Sequence, residues 1–565
     1  MAGGPKQPLN VFRLNSGDAP KEIYNWRLWF AVLSFGLMGA ARGVDEGLIT
    51  GAFDSVDFQR TISFDSYSSV EQTNIRANVT AMVQLGSIGG ALVAFLACDR
   101  LGRLWTARGL CMIWILGIAI FMGHGGNLGM VYAGRLVAGL GVGATVVVGP
   151  VYLAEIAPVA VRGLCTCVFT GCVYLGIVLA YFANYGCEVH MGDNTHDRWL
   201  VPTSLHIMFA GLIFLLSFFQ IESPRYLVKR SKYEQALTNL SKIRNLPPDH
   251  PYVLDEINAI RSSHEHEMEA TMGLGWAGIL KESFLVPSNL YRFYLATGVQ
   301  ILSQWSGAGS ITVYAPQLFS LLGIGGSEEG LLVTAVFGIV KLVAAVACAL
   351  FLVDVIGRKR ALLIGITLQA ISMIYIAGFL TAVPQLGVDD SYTLPSDLKG
   401  PSRGAIAMIY ISGVGWALGW NSMQYLLTAE LFPLRIRALA TSTAMTLHFA
   451  NQYGNSRAVP NMLLPTAEGG IDPKGTFWCF AAVTLLGGAW VFFSIPETAG
   501  RSLEDMDKLF MLPWWKIGLF GNRDADRRDL VEAKIGEERD MAMAQEMSGR
   551  VRDEEKAEGR NIERV

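Results

Sequence analysis

Asp99-Arg100-Leu101-Gly102-Arg103 and, in the second half of the chain, Asp354-Val355-Ile356-Gly357-Arg358-Lys359-Arg360 are two short charged stretches with one plan, each placed directly after a long apolar run. Alone, the pattern describes only a tight Gly turn with an acidic residue ahead of a helix and cations behind. It does not stand alone. Glu155-Ile156-Ala157-Pro158 with Arg162 is echoed by Glu430-Leu431-Phe432-Pro433 with Arg437, and Glu222-Ser223-Pro224-Arg225 is echoed by Pro496-Glu497-Thr498. Three pairs in the same order make an internal repeat, two six-helix halves in parallel orientation.

Working outward, the apolar runs place the chain in a membrane. Of 565 residues, 52% are hydrophobic and 16% charged, and the mean hydropathy is +0.36. That is more apolar surface than a soluble core can bury, so lipid must cover the excess. About 20 apolar residues cross the hydrocarbon as a helix. The runs predict spans at 28–52, 76–98, 105–124, 130–154, 163–187, 202–221, 293–322, 330–353, 361–383, 404–429, 438–464 and 475–495. The expected fold class is an all-α membrane protein of twelve transmembrane helices in two six-helix bundles. Its domains are an N-terminal segment 1–27, a first bundle 28–221, a helical loop 222–292, a second bundle 293–495 and a charged tail 496–565.

Arg100, Arg103, Arg108, Arg162, Arg358, Lys359, Arg360, Arg435 and Arg437 all fall at the same end of the bundles. The positive-inside rule makes that end cytoplasmic, together with both termini and the 222–292 loop. Asn78-Val79-Thr80 then lies near the outer surface as a glycosylation acceptor, though close to the second span. A net charge of -3 gives no case for a nucleic-acid partner. The eight Cys are scattered through apolar runs and read as small packing residues, not as a disulfide framework. No metal, nucleophile or phosphate-loop constellation is present, so neither a cofactor nor an enzyme is expected.

The six motifs, at matching topological positions, resemble those of the sugar porters of the major facilitator superfamily over roughly residues 24 to 510. The resemblance implies the twelve-helix fold and transport by alternating access. It also implies that the motif charges lie together at the cytoplasmic helix ends. Carboxylates and guanidiniums there can pair across the two halves when that side is shut, and Asp99, Arg103, Glu155, Arg162, Glu222, Asp354, Arg358, Glu430, Arg437 and Glu497 form the expected latch. Ile221 and Ala499 depart from the family motif, and neither removes a latch charge.

Ionisable groups inside spans are costly and usually face a cavity or a partner. Gly43, Asp45, Gly47 and Ile49 match a family pattern in the first helix, and Gly134-Arg135 opens a matching one in the fourth. In proton-coupled members the acid titrates and the Arg is its partner. The resemblance therefore makes Asp45 the proton carrier and Arg135 the group that tunes it.

The substrate positions depart from the hexose pattern of the family. Around the seventh helix Gln304, Ser306, Gly307, Tyr314 and Pro316 of the family signature survive, Ser303 stands where it begins with Gln, and Thr170 stands where sugar porters usually carry Gln. Asn421 and Gln424 stand in the tenth helix, and His448 and Asn451 in the eleventh. Losing several carboxamides changes what a desolvated pocket can hold. What replaces them includes positive charge, at Arg42, Lys341 and Arg457. With Tyr24-Asn25-Trp26-Arg27 before the first helix, Gly338-Ile339-Val340-Lys341 and Ser456-Arg457, the chain is similar to fungal quinate permeases and sugar-acid transporters. The expected activity is proton-coupled uptake of a small polyhydroxylated carboxylate across the plasma membrane by a monomeric transport unit. A carrier of a neutral monosaccharide or polyol is the second reading, and a non-transporting nutrient sensor the alternative of another class.

Overall fold

The computed structural model describes residues 20–158, 161–192, 195–271, 276–324, 326–348, 356–386, 394–421, 423–424, 427, 431–498, 506 and 509–520. Twelve long helical segments cross the molecule. The first bundle contains α1 (Trp26–Phe53), α2 (Ser69–Leu101), α3 (Arg103–Met122), α4 (Leu128–Ile156), α5 (Arg162–His190) and α6 (Asp197–Ser217). The second contains α7 (Pro287–Trp305), α8 (Ser327–Ala347), α9 (Arg358–Ala382), α10 (Lys399–Trp416), α11 (Leu434–Leu463) and α12 (Asp472–Ser494). Between them lie the helices Pro224–Lys229, Tyr233–Arg244, Pro251–Thr271 and Trp276–Leu285. No strand occurs among the described residues, as expected where lipid offers no partner to an unpaired backbone.

Without a hydrophobic force between helices in lipid, close packing depends on small residues. α1 shows this along one face. A Cβ on Gly39 would sit 2.3 Å from the Phe169 carbonyl oxygen, and one on Gly43 only 1.9 Å from that of Val173, so α1 lies backbone to backbone on α5. Gly86 and Gly139 do the same between α2 and α4, and Gly365 and Gly415 between α9 and α10. Gly102 and Gly357, the turn glycines of the repeated motif, have φ of 96° and 93°, a region that L side chains rarely adopt.

Among the described residues, nine helices are long and apolar enough to cross a membrane by length and composition. α7, α10 and α11 are not among them, and each has a structural reason. α7 stops at Trp305, turns through Gly307 at φ 86° and restarts as Ala308–Val313 and Ala315–Leu321, where 293–322 was expected to be one helix. α10 runs into a π turn, Ala417–Asn421. α11 carries His448, Asn451, Gln452, Asn455, Ser456 and Arg457 through its middle. Irregular or polar spans are tolerated only where protein or a polar interior meets them. These three enclose the polar cluster described below.

The halves meet where α2 packs on α11 and α5 on α8. At the end opposite the motif loops they are also tied by polar contacts: Ser69 Oγ to Glu468 at 2.8 Å, Arg457 Nη2 to Asn74 at 2.8 Å, and Tyr181 OH to the Thr312 carbonyl at 2.5 Å. α2 starts at Ser69, seven residues ahead of its predicted start. A capping box explains it, the Ser68 hydroxyl and Glu71 carboxylate each satisfying the other's backbone N–H. Asn78 therefore sits well inside a helix and bonds to Tyr132, a poor position for glycosylation. The described cysteines are all free thiols.

Replacing Gly43 by Leu should prevent α1 from seating on α5, with loss of the monodisperse peak in size-exclusion chromatography of solubilised protein. Gly186→Ala, on the same helix pair but with open space around it, should leave the peak and the melting temperature unchanged within a few degrees. A well-folded Gly43→Leu protein would contradict the packing.

Candidate functional site

Arg135 on α4 and Asp45 on α1 are each 2% exposed and form a direct ion pair. Nη1 donates to Asp45 Oδ1 at 2.6 Å, Nη2 to Oδ2 at 3.5 Å, and Nε to the Val79 carbonyl of α2 at 3.1 Å. One guanidinium thus joins three helices of the first bundle. Removing one member of such a pair leaves a buried charge, at a cost of about 3–5 kcal/mol. His206 on α6 lies near enough to feel both charges, buried edge-on against Trp114, and its Nδ1 has no hydrogen-bond partner. Sequence reasoning passed over it, although a lone His in an apolar span was visible.

One turn before Asp45, a second network crosses between the halves. Arg42 Nε donates to Glu46 Oε1 at 2.9 Å, and its Nη2 reaches His448 Nε2 at 3.2 Å and Gln452 Oε1 at 3.4 Å on α11. Gln452 Nε2 donates to Glu46 at 3.0 Å. His448 Nδ1 in turn lies 3.1 Å from Gln300 Oε1 and 3.3 Å from Gln304 Nε2 on α7. A neutral ring with its hydrogen on Nδ1 donates to Gln300 and accepts from Arg42 at Nε2, and the Gln304 amide nitrogen then faces an N–H that cannot accept from it. Gln300 and Gln452 were not among the expected residues. They lie one helical turn from Gln304 and His448, and that spacing was the available signal.

The other expected substrate residues surround this network. Ser303 donates to Gln424 Oε1 at 3.2 Å, and Gln300 Nε2 to the Gln424 carbonyl at 3.3 Å, which joins α7 to the stretch after the π turn. Trp305 Nε1 donates to Asn451 at 3.2 Å, and Asn455 bonds to Ser310 and to the Gln304 carbonyl. Tyr314 OH donates to the Ser456 carbonyl at 2.8 Å. Asn421 is buried in the π turn and Thr170 half-buried on α5. Lys341 on α8 is 3% exposed, donates to Thr312 Oγ1 at 2.5 Å and lies 5.4 Å from the ring centroids of both Tyr174 and Phe337. It shares its field with Arg42 and Glu46. Arg457 stands apart from them, at the end where it meets Asn74.

At the motif end, where the sequence led us to expect pairs across the halves, the contacts seen among the described residues join groups of one half or of the segment between the halves. Glu222 accepts from the backbone N–H of Arg103 at 3.1 Å and of Leu104 at 3.2 Å, capping the start of α3. Glu497 does the same for α9, from Arg358 at 2.6 Å and Lys359 at 3.2 Å. Carboxylates suit helix N-termini because the first N–H groups there lack partners and the dipole is positive. Burial pushes the Glu222 carboxyl above its usual range, and the N–H groups of Ser223, Leu104 and Arg103 pull it back toward the ionised form. Arg103 bonds to Glu155 at 2.6 Å and lies 3.7 Å from Asp99, which also holds Lys229 of the intervening segment at 2.7 Å. Asp354 and Glu430, with the side chains of Arg162 and Arg437, lie outside the described residues.

Two repeated six-helix bundles around a polar cluster, with capped motif loops at one end, define a membrane carrier of the major facilitator fold. The chain belongs to the sugar (and other) transporter family, whose description matches residues 31–510. It is 33% identical over 500 residues to a probable quinate permease of Aspergillus niger, covering 88% of this chain and 90% of that protein. To the quinate permease of Emericella nidulans it is 30% identical over 493 residues, covering 87% and 90%. Among solved structures it superimposes on the proton:xylose symporter XylE bound to 6-bromo-6-deoxy-D-glucose with a TM-score of 0.69, at 22% identity over 86% of this chain and 99% of that one. The inward open XylE of E. coli gives 0.65 at 23% identity, covering 85% and 98%. At these identities the structures speak to fold alone.

Glu222→Ala and Glu497→Ala should each lower the melting temperature by about 1–2 °C through loss of a charged cap, worth about 1 kcal/mol or somewhat more. Accessibility of motif-end cysteines to thiol probes should stay as in the parent. Unchanged stability with altered accessibility would return these carboxylates to a cross-half latch.

Proposed function

We propose that the protein is a secondary active transporter that takes up a small polyhydroxylated carboxylate, quinate-like or a hexuronate such as galacturonate, together with a proton. The observation that carries this reading is the charge balance between the halves. Among the described residues, Arg42 and Lys341 bring two cations into a region where Glu46 is a carboxylate near both. Cations at membrane depth are expensive, and a substrate bearing one negative charge lowers that cost. The amides of Gln300, Gln304, Asn451 and Gln452 can donate to and accept from hydroxyls. The names of the relatives, quinate permeases, point the same way.

Asp45 is the proton carrier in this reading and Arg135 its partner. Desolvation favours a neutral carboxyl and the guanidinium favours an ionised one, so the pair can be poised between them. A proton from outside neutralises Asp45, loosens its hold on Arg135 and lets the loaded carrier rearrange; release inside restores the pair. Arg162 and Arg437 would close the cytoplasmic side. The plasma membrane, cytoplasmic termini and a monomeric transport unit belong to the same reading.

Asp45→Asn should abolish uphill accumulation and its dependence on external pH in vesicles, while exchange of internal for external substrate persists. Accumulation by Asp45→Asn under a pH gradient would place the proton site elsewhere. Lys341→Gln should raise the KM for quinate at least tenfold, and that for a neutral analogue less than twofold. Equal effects on both would favour the neutral-sugar reading.

A further inference from the structure

Resting on that reading, we infer that Glu46 is a built-in counter-anion that occupies Arg42 in the empty carrier, and that a substrate carboxylate must displace it to bind. Arg42 reaches across the interface, touching His448 and Gln452 of the second bundle. Its Nε is held by Glu46, four residues on along the same helix at 2.9 Å, with both side chains 12% exposed. Gln452 holds the same Glu46 oxygen at 3.0 Å from the other half. A carboxylate arriving between the halves therefore meets a guanidinium already engaged by a carboxylate of the protein.

This arrangement does two things that a bare Arg would not. It keeps Arg42 from standing unpaired in a low-dielectric interior between substrates, a state that would be strongly penalised. It also sets a threshold for binding. A neutral polyol offers no charge to replace Glu46, whereas a carboxylate does, with the same two-oxygen geometry that suits guanidinium. Displaced Glu46 keeps the Gln452 amide and the field of Lys341, so it is not left without partners. Because Arg42 also reaches His448 and Gln452 of the second half, its re-pairing with a substrate carboxylate changes contacts between the halves in step with binding. Glu46 is thus a specificity residue for carboxylates that acts by competition.

The test is equilibrium binding of quinate and of its neutral methyl ester to the purified full-length protein, comparing the parent with Glu46→Gln and Glu46→Asp. Removing the competing charge should lower the Kd for quinate at least fivefold and leave that for the ester within twofold. Glu46→Asp, whose shorter arm holds Arg42 less well, should move quinate the same way by a smaller factor, and it serves if Glu46→Gln does not fold. A parent that prefers quinate over the ester, combined with variants whose quinate affinity is unchanged or weaker, would overturn the counter-anion role and leave the anionic substrate standing. Equal strengthening of quinate and ester would also overturn it, since only volume would have mattered. A parent that binds neutral sugars and no carboxylate would overturn the substrate reading, and the inference with it.

Discussion

The Arg135 guanidinium sits deep in a bundle that lipid surrounds, and the position of three helices follows from satisfying it. Asp45 must come from α1 and the Val79 carbonyl from α2, so α1, α2 and α4 share one geometry at that depth. The glycines along α1 make this possible. Gly39 and Gly43 bring α1 against α5, and Gly86 and Gly139 bring α2 against α4, at separations that no side chain would allow. A charged group and a run of residues with no side chain are two halves of the same solution: the first demands a partner, the second lets the backbone approach that brings it.

The same constraint distributes work between the bundles. Among the described residues the first bundle is regular, and its six spanning helices all qualify as apolar crossings. The second concentrates its departures in α7, α10 and α11, where a Gly break, a π turn and a polar stripe converge on His448, Gln304 and Gln424. A carrier needs one face that holds a charge pair and another that reshapes around cargo. Irregular backbone is tolerable only where it turns inward, and here it turns toward Arg42 and Glu46 of the first bundle.

Much of this was legible in the amino-acid sequence because lipid simplifies the code. Twelve apolar runs and a motif repeated in order are enough for the fold, and the pair Asp45 and Arg135 follows from matching family patterns. What escaped was local and relational. The break in α7 at Gly307 and the capping box at Ser68 were written in turn and cap residues, which a hydropathy reading passes over. Gln300, Gln452 and His206 are ordinary polar residues whose role exists only through partners on other helices. Two motif carboxylates have a local use that the sequence reading did not anticipate. A helix N-terminus attracts a carboxylate as well as an arginine does, and Glu222 and Glu497 cap α3 and α9 within their own halves.

Taken together, the described charges define a balance: Asp45 against Arg135, and Glu46 with the cargo carboxylate against Arg42 and Lys341. If one proton moves with one singly charged carboxylate, the loaded step carries no net charge across the membrane, and voltage has nothing to act on. Proteoliposomes loaded with potassium and treated with valinomycin separate the two driving forces. With labelled quinate outside, the account predicts uphill accumulation under an imposed pH gradient, acid outside, and none under a membrane potential alone. Accumulation driven by potential at equal pH on both sides would contradict it.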